Sequence, residues 1–381
     1  MQSLIRSALC GLVLSFAPAL SSAQDVQSLL LKIKTVGKEG AGNVEASKAW
    51  KELVALGPSV MPDILGGMND ANPVAVNWLR NAVEAIHDKA GHKGVKIPDG
   101  EIADFLLNTK NAGHSRRSAY ECLVKLDPKT PDRYLPKMLD DPSAELRRDA
   151  VQRQLDYAKR AAFESPTVRQ KFYESLLKSA RDRDQVDAIC KTLKDDFQVE
   201  IDLTKHYGFV TRWLLIGSFD NRKGIGFNTV YPPERGFDIK AVYPAKNDGQ
   251  ARWREHVTTK QLGLVDLNEA VGKEKGSVVY GFAALESATE RAVDIRAASN
   301  NAVRMWLNGK EIYFREEYHH GMAMDQHTGK GMLKAGRNEI LIKVCQNEQT
   351  DSWAQLWSFQ VRVCDYLGAA VPVTNVTERI K

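Results

Sequence analysis

A helical solenoid followed by an antiparallel β-sandwich is the fold class that this chain of 381 residues predicts. Residues 25–196 place apolar side chains at helical spacing in one segment after another. Part of that stretch repeats itself. Beyond residue 197 the pattern changes to short alternating β-rich runs bounded by Gly, Asn and Asp, with no helices between them.

Composition excludes several classes. Hydrophobic residues are 43% and charged residues 27%, ordinary for a globular protein. Gly and Pro total 41, too few for a fibrous or low-complexity chain. Basic and acidic residues number 28 and 27 over 24–200, and 24 and 21 over 201–381. Neither half carries the basic excess of a nucleic-acid binder, so no nucleic-acid partner is expected.

The first 23 residues read as a secretory signal peptide. Arg6 supplies the charge, SALCGLVLSFAPAL the apolar stretch, and Ser21-Ser22-Ala23 the small residues before Gln24. That stretch is shorter than the ~20 residues needed to span a bilayer. An exported protein, periplasmic or extracellular, with no transmembrane segment is expected. Beyond Cys10 stand Cys122, Cys190, Cys345 and Cys364, none in CxxC spacing. Cys122 and Cys190 fall on apolar helical stripes and read as buried free thiols. Cys345 and Cys364 lie in late strands, and the sequence leaves their pairing open.

The helices are expected as follows. Val44–Leu56 ends at Gly57-Pro58, and Ser59–Met68 follows. Asn72-Pro73 opens Val74–Ala90, a cap residue and Pro being a normal helix start. Ser118–Leu126 then echoes Ser47–Leu56, and Asp127-Pro128 stands where Gly57-Pro58 stood. Asp140-Asp141-Pro142 matches Asn69-Asp70 and Pro73, and Arg148-Asp149-Ala150-Val151 matches Arg80-Asn81-Ala82-Val83. Self-similarity at an offset of about 70 residues is the mark of stacked helix pairs. With Pro in a first helix and R-[DN]-A-V opening a second, residues 44–160 resemble HEAT-type repeats. Pro166–Asp182 and Asp184–Phe197 read as a closing cap.

The expected strands are Val199–Leu203, Arg212–Phe219, Val278–Ala283, Ala292–Ala297, Asn301–Leu307, Ile312–Phe314, Glu339–Cys345 and Trp357–Val363. Asn308-Gly309 is the clearest hairpin signal, because both turn positions want positive φ. Two motifs carry a second resemblance. They are Val303-Arg304-Met305-Trp306-Leu307-Asn308-Gly309-Lys310 and Leu333-Lys334-Ala335-Gly336-Arg337-Asn338-Glu339-Ile340. With Arg212–Asp220 as a leading strand, this half resembles the galactose-binding-like jelly-roll family, and within it the sugar-binding sandwich of family 2 glycoside hydrolases. That resemblance implies an antiparallel jelly roll with a saccharide site, and it does not identify a ligand. The expected layout is a signal peptide over 1–23, a HEAT-like α-solenoid over 24–197, a galactose-binding-like β-sandwich over 198–365 and a polar tail over 366–381.

Arg315–His327 (REEYHHGMAMDQH) is the densest polar cluster. Tyr318, His319, His320 and Asp325, with Trp353 from another loop, are the candidate saccharide residues, because loops at sandwich ends carry binding groups and a sugar wants a flat ring beside hydrogen-bonding side chains. Were a metal to bind, His319, His320, Asp325 and His327 would be its ligands; no cofactor or metal is expected. A second loop offers Asp220, Asn221, Arg222, Tyr231 and Glu234. Its oxygens suit a structural calcium, though turn chemistry is the preferred reading. Trp50, Trp78, Trp213, Trp306 and Trp357 read as core; Trp253 and Trp353 sit in polar surroundings and read as exposed platforms.

No GxSxG, HExxH or P-loop pattern is present. The expected function is therefore non-catalytic. The sandwich would hold a saccharide or glycan surface and the solenoid would contact a protein partner. The alternatives are a protein–protein scaffold without a sugar site and a metal-assisted hydrolase built on the His319 loop.

Overall fold

A computed structural model of the protein describes residues 19–377. The signal peptide expected at the front lies, through residue 18, outside the described residues. The chain divides into two compact units, Met1–Ile189 and Cys190–Lys381, and the division falls within one helix, Arg183–Phe197. Helices come first and antiparallel sheets follow, as the sequence predicts. Among the described residues no helix is long and apolar enough to cross a membrane.

The first unit comprises α1 (Ala19–Lys34), α2 (Asn43–Ala55), α3 (Met61–Gly67), α4 (Pro73–Lys93), α5 (Asp99–Leu107), α6 (Gly113–Leu126), α7 (Thr130–Tyr134), α8 (Ala144–Ala158) and α9 (Pro166–Ser179), and it ends within α10 (Arg183–Phe197). The sequence echo becomes two long–short–long triplets, α2–α3–α4 and α6–α7–α8. Their third helices open alike. Asn72 accepts from the Val74 and Ala75 amides, both at 3.0 Å, and Ser143 accepts from the Leu146 amide at 3.4 Å. The apolar faces meet in one core containing Ile33, Leu53, Ile64, Leu79, Ile86, Leu106, Leu123 and Leu146. Trp50 and Trp78 are half-buried against it. Arg116 is almost fully buried and fork-bonded to Asp141, with both contacts at 2.7 Å. Helix α5, absent from the sequence expectation, buries only Ile102 and Leu106, too few positions to announce a period.

The second unit opens with a departure. Val199–Leu203 alternates like a strand, yet 199–202 forms neither helix nor strand, and α11 (Leu203–Tyr207) follows, capped by Asp202. Five alternating residues do not make a strand unless a neighbour pairs with them.

The strands are β1 (Arg212–Asp220), β2 (Val242–Pro244), β3 (Gln250–Arg252), β4 (Arg254–Val257), β5 (Val265–Asp266), β6 (Ser277–Ser287), β7 (Arg291–Ser299), β8 (Ala302–Leu307), β9 (Lys310–Arg315), β10 (His327–Leu333), β11 (Gly336–Gln346), β12 (Ser358–Cys364) and β13 (Val373–Asn375). One sheet runs β4-β1-β6-β11-β8-β9, with β13 also on β6; the facing sheet runs β10-β7-β12-β5; β2 and β3 form a separate ribbon. β1 pairs with Ser277–Phe282 of β6, and β13 takes up the same edge at Leu285–Ser287. Part of the stretch read as a polar tail is therefore a strand of the larger sheet.

Between the sheets lie Trp213, Val279, Ala283, Ile295, Met305, Ile342, Trp357 and Phe359. Trp213 and Phe359 meet edge to face, centroids 5.1 Å apart. Gly281 sits beneath them, where a Cβ would lie 3.1 Å from the Phe359 ring and 3.3 Å from Trp213. The larger sheet's outer face is covered as well. The excursion between β1 and β4 lays Phe237 flat on Phe282, centroids 4.0 Å apart, and Tyr231 on Phe219 at 4.8 Å. Covered on both faces, β6 reads as an unbroken apolar run. Trp253, expected as an exposed platform, packs into this second core at 9% exposure. Its polar sequence neighbours alternate away from it, as residues of a strand do.

The Asn308-Gly309 hairpin forms as expected, with φ of 52° and 78°. The Cys345 and Cys364 thiols are buried and unbridged, and burial pushes them up to about 12 and about 11; buried Cys122 is likewise pushed up to about 11. Cys190 is half-buried on α10.

Candidate functional site

The two loops singled out in the sequence meet at one open depression of about 610 Å³. Lys223 and Gly224 line it from the loop after β1. Glu316 and Tyr318 come from the loop after β9, and 347–351 from the segment after β11. Hydrogen bonds tie the three segments together. Asn221, fully buried, donates from Nδ2 to the Gln346 carbonyl at 3.0 Å and to the Tyr318 hydroxyl at 3.3 Å. The Lys223 amide donates to Glu348 Oε2 at 2.8 Å. Burial, the largest influence on Tyr318, raises its phenol and keeps it neutral.

His319 joins this depression to Trp353. It takes positive φ, and its Nε2 hydrogen-bonds the Asn347 side chain. Its ring stands edge-on to Trp353, centroids 5.6 Å apart at 87°. Trp353 is 60% exposed, in contrast to Trp213 and Trp357 at 0% and 1%. Two residues before it, Asp351 lines the depression. The lining thus offers carboxylates of Glu316, Glu348 and Asp351, amides of Asn347 and Gln349, hydroxyls of Tyr318 and Thr350, and one ammonium on Lys223.

Other sequence candidates lie apart from it. Asp325 is gripped by Arg362 through two contacts at 2.6 Å and by Arg296 at 2.9 Å. Burial raises its carboxyl, but the hydrogen bonds and charges of these arginines outweigh it and leave a net lowering. Glu234 accepts from Lys343 Nζ at 2.8 Å and from the Tyr280 hydroxyl. Tyr231 donates to the Asp220 carbonyl. Asp220 is forked by the Arg222 guanidinium and also accepts the Arg222 amide at 2.9 Å, so this loop is occupied by turn chemistry.

The four possible metal ligands do not gather around one point. His319 points to Asn347 and Asp325 to its arginines, whereas His320 and His327 lie ring to ring, centroids 6.0 Å apart. Among the described residues no group of three or more His, Cys, Asp or Glu side chains is arranged to hold a metal ion. The sequence reading missed Glu316, Glu348 and Asp351 as lining groups. Their one signal was position, since Glu316 and Asp351 each lie two residues from a chosen candidate and Glu348 lies five before Trp353.

No protein-family model matches the chain, and no curated protein matches it. Some solved structures show a faint likeness. An anti-sigma factor domain-containing protein from Clostridium clariflavum is 13% identical, with a TM-score of 0.27, over 44% of this chain and 45% of its own. The β-glucosidase of Kluyveromyces marxianus in complex with glucose is 10% identical, with a TM-score of 0.26, over 42% of this chain and 17% of its own. An α-xylosidase from Xanthomonas citri is 10% identical, with a TM-score of 0.20. This chain spans less than half the length of each of the first two. Likenesses this faint carry no argument about fold or activity.

Proposed function

We propose that the protein is an exported, non-catalytic binding protein whose sandwich holds a saccharide in the depression bounded by Lys223, Glu316, Tyr318 and Asn347–Asp351. The observation that carries this is the convergence of the two candidate loops beside Trp353. A pyranose has an apolar face and a rim of hydroxyls. An exposed indole held edge-on by His319 suits the face, and carboxylates, amides and hydroxyls suit the rim. Asp325, Tyr231 and Glu234 drop out of the contact set because each is consumed by protein partners.

The sandwich motifs resemble the galactose-binding-like family, and that resemblance supports a sugar over another small molecule. The helical unit, which resembles HEAT-type repeats, would contact a protein partner. An open depression of about 570 Å³ lined by Asp132, Arg153, Asp156, Tyr157 and Arg160 is its candidate surface.

One stacked ring and two or three hydrogen bonds stabilise a complex by a few kcal/mol net, which corresponds to a Kd of ~0.1–1 mM. The test is a glycan array followed by affinity electrophoresis in the best polysaccharide. Retention by the wild type, lost in Trp353→Ala with the melting temperature nearly unchanged, is the expected result. If no glycan retains the wild-type protein, the sugar site falls and the protein–protein scaffold replaces it.

A further inference from the structure

We infer that the second unit carries a site for a dianionic oxyanion, a phosphate or sulfate group, apart from the saccharide depression. A pocket of about 190 Å³ lies beside β1, bordered by the β2–β3 ribbon and the segment before β6. Its charged lining is Lys246, Arg252, Arg254 and Glu274, and Ser218 and Gln250 add uncharged polar groups. None of these residues lines the saccharide depression.

Local structure sets the two arginines on one side. β3 ends at Arg252 and β4 begins at Arg254, with Trp253 between them. Side chains alternate along an extended chain, so the indole that enters the second core leaves both arginines on the opposite side. They are the polar neighbours that make Trp253 look exposed in the sequence. Lys246 is held as well. Its ammonium donates to the Lys275 carbonyl and, at 3.3 Å, to Ser277 Oγ, which leaves one of its three protons for a ligand.

The charges here are unbalanced. Most arginines of this unit, among them Arg222, Arg296 and Arg362, pair with carboxylates. Arg252 donates to Gln250 Oε1 at 3.2 Å and pairs with no carboxylate, and Arg254 has no side-chain partner among the described residues. Lys246 likewise has no carboxylate partner among them; Asp220, which feels its charge, is forked by Arg222. Three cations against the single carboxylate of Glu274 leave the lining at +2. That charge matches a dianion, and a phosphate ester carries about −1.5 to −2 near pH 7. Guanidiniums fork onto the oxygens of such a group, and a lysine adds a point charge. A volume of 190 Å³ holds about six waters at ~30 Å³ each, so a five-atom oxyanion fits with room for part of the group that carries it.

The full chain would be titrated calorimetrically at low ionic strength with sodium phosphate, sodium sulfate and glucose 6-phosphate in turn, with glucose as the neutral control. We expect one equivalent of anion per chain, no heat from glucose, and weaker binding as salt is added. Glucose 6-phosphate binding more tightly than phosphate would assign the site to an ester, and the reverse order to the free anion. Arg252→Gln with Arg254→Gln should weaken binding roughly tenfold or more, and both side chains are exposed, so the fold should survive. Glu274→Gln removes the one repelling carboxylate and should tighten binding. Arg235→Gln with Lys240→Gln removes the same charge outside the pocket and should change affinity by less than about twofold. The site is overturned if no anion binds, or if the two double variants lose affinity equally. Trp353→Ala should bind the anion as the wild type does, so this inference and the saccharide reading fail separately.

Discussion

Asn308 donates from Nδ2 to Asn338 Oδ1 at 2.9 Å. The two residues belong to the two motifs that carry the sandwich's family resemblance, so those motifs are two halves of one lock. Asn338, fully buried, also accepts the Lys334 amide at 2.8 Å and donates to the Lys334 and Gly336 carbonyls at 2.9 and 3.0 Å. Asn308 Oδ1 accepts the Glu339 amide at 2.9 Å. The hairpin after β8 is thereby pinned to the turn before β11.

Asn338→Ala would leave several of these groups dry and unbonded. Each such group costs about 1–3 kcal/mol. We expect urea denaturation to show a loss of at least about 2 kcal/mol. A loss below half of that would mean that the turn re-forms its hydrogen bonds without the side chain.

Lys343 and Glu234 form an ion pair whose side chains are 0% and 8% exposed. Lys343 Nζ also donates to the Phe227 and Thr229 carbonyls, at 3.1 and 2.8 Å, so it anchors the excursion over β11. Glu234→Ala strands a buried ammonium, and removing one partner of such a pair costs about 3–5 kcal/mol. Lys343→Met combined with Glu234→Leu should cost less than the two single changes added together. Thermal denaturation of the four proteins of this cycle measures the coupling, and strict additivity would show that the pair is not coupled.

Trp353 and Trp253 should respond oppositely to truncation. Trp253→Ala removes a ring packed on Phe237 and Phe282 and should cost about 3–5 kcal/mol. Trp353→Ala removes a mostly exposed ring and should cost less than about 1 kcal/mol. A collapse of the melting temperature in Trp353→Ala would make that residue structural and remove it from the proposed saccharide site.

Acid should weaken the fold through His327. Burial lowers its folded pKa from 6.5 to about 4, with smaller contributions from the charges of His320 and Arg315. Above pH 6.5 the ring is neutral in both states and contributes no slope. Between 6.5 and about 4 the unfolded chain takes up a proton that the native state refuses, so stability falls as pH falls. Below about 4 both states hold it and this contribution levels off. Denaturation midpoints from pH 7 to pH 4 should show the decline in the wild type and a shallower one in His327→Gln. Identical curves would remove His327 as the cause.

Much of the fold was legible because its signals are local. Asn72-Pro73 announces a helix start through its own side chain and ring, and Asn308-Gly309 announces a hairpin through its own φ preferences. β10 was not legible. His-Thr-Gly-Lys-Gly-Met-Leu carries two glycines and a lysine, and it becomes a strand by pairing with β7, as Val199–Leu203 fails to become one for want of a partner. At the site, the sequence pointed to the loops and to Trp353. It did not show that Asp325 is paired, because nothing near Asp325 in the chain reveals Arg362, 37 positions away.

By itself the sequence determined the order of classes, helices and then sandwich, since periods of 3.6 and 2 are properties of each segment alone. Only the tertiary structure decided what each exposed-looking face would meet. β6 is apolar on both sides because an excursion folds over its outer face, and that cover takes Trp253 out of solvent while Trp353 remains in it. The same long-range packing brought Asn221 against Tyr318, 97 residues later in the chain, and set Glu234 against Lys343, 109 residues later. A local pattern states which side of a strand is apolar. Whether a polar side chain there becomes a ligand contact or an internal clamp depends on which distant charge or hydroxyl the fold delivers, and only the folded chain specifies that.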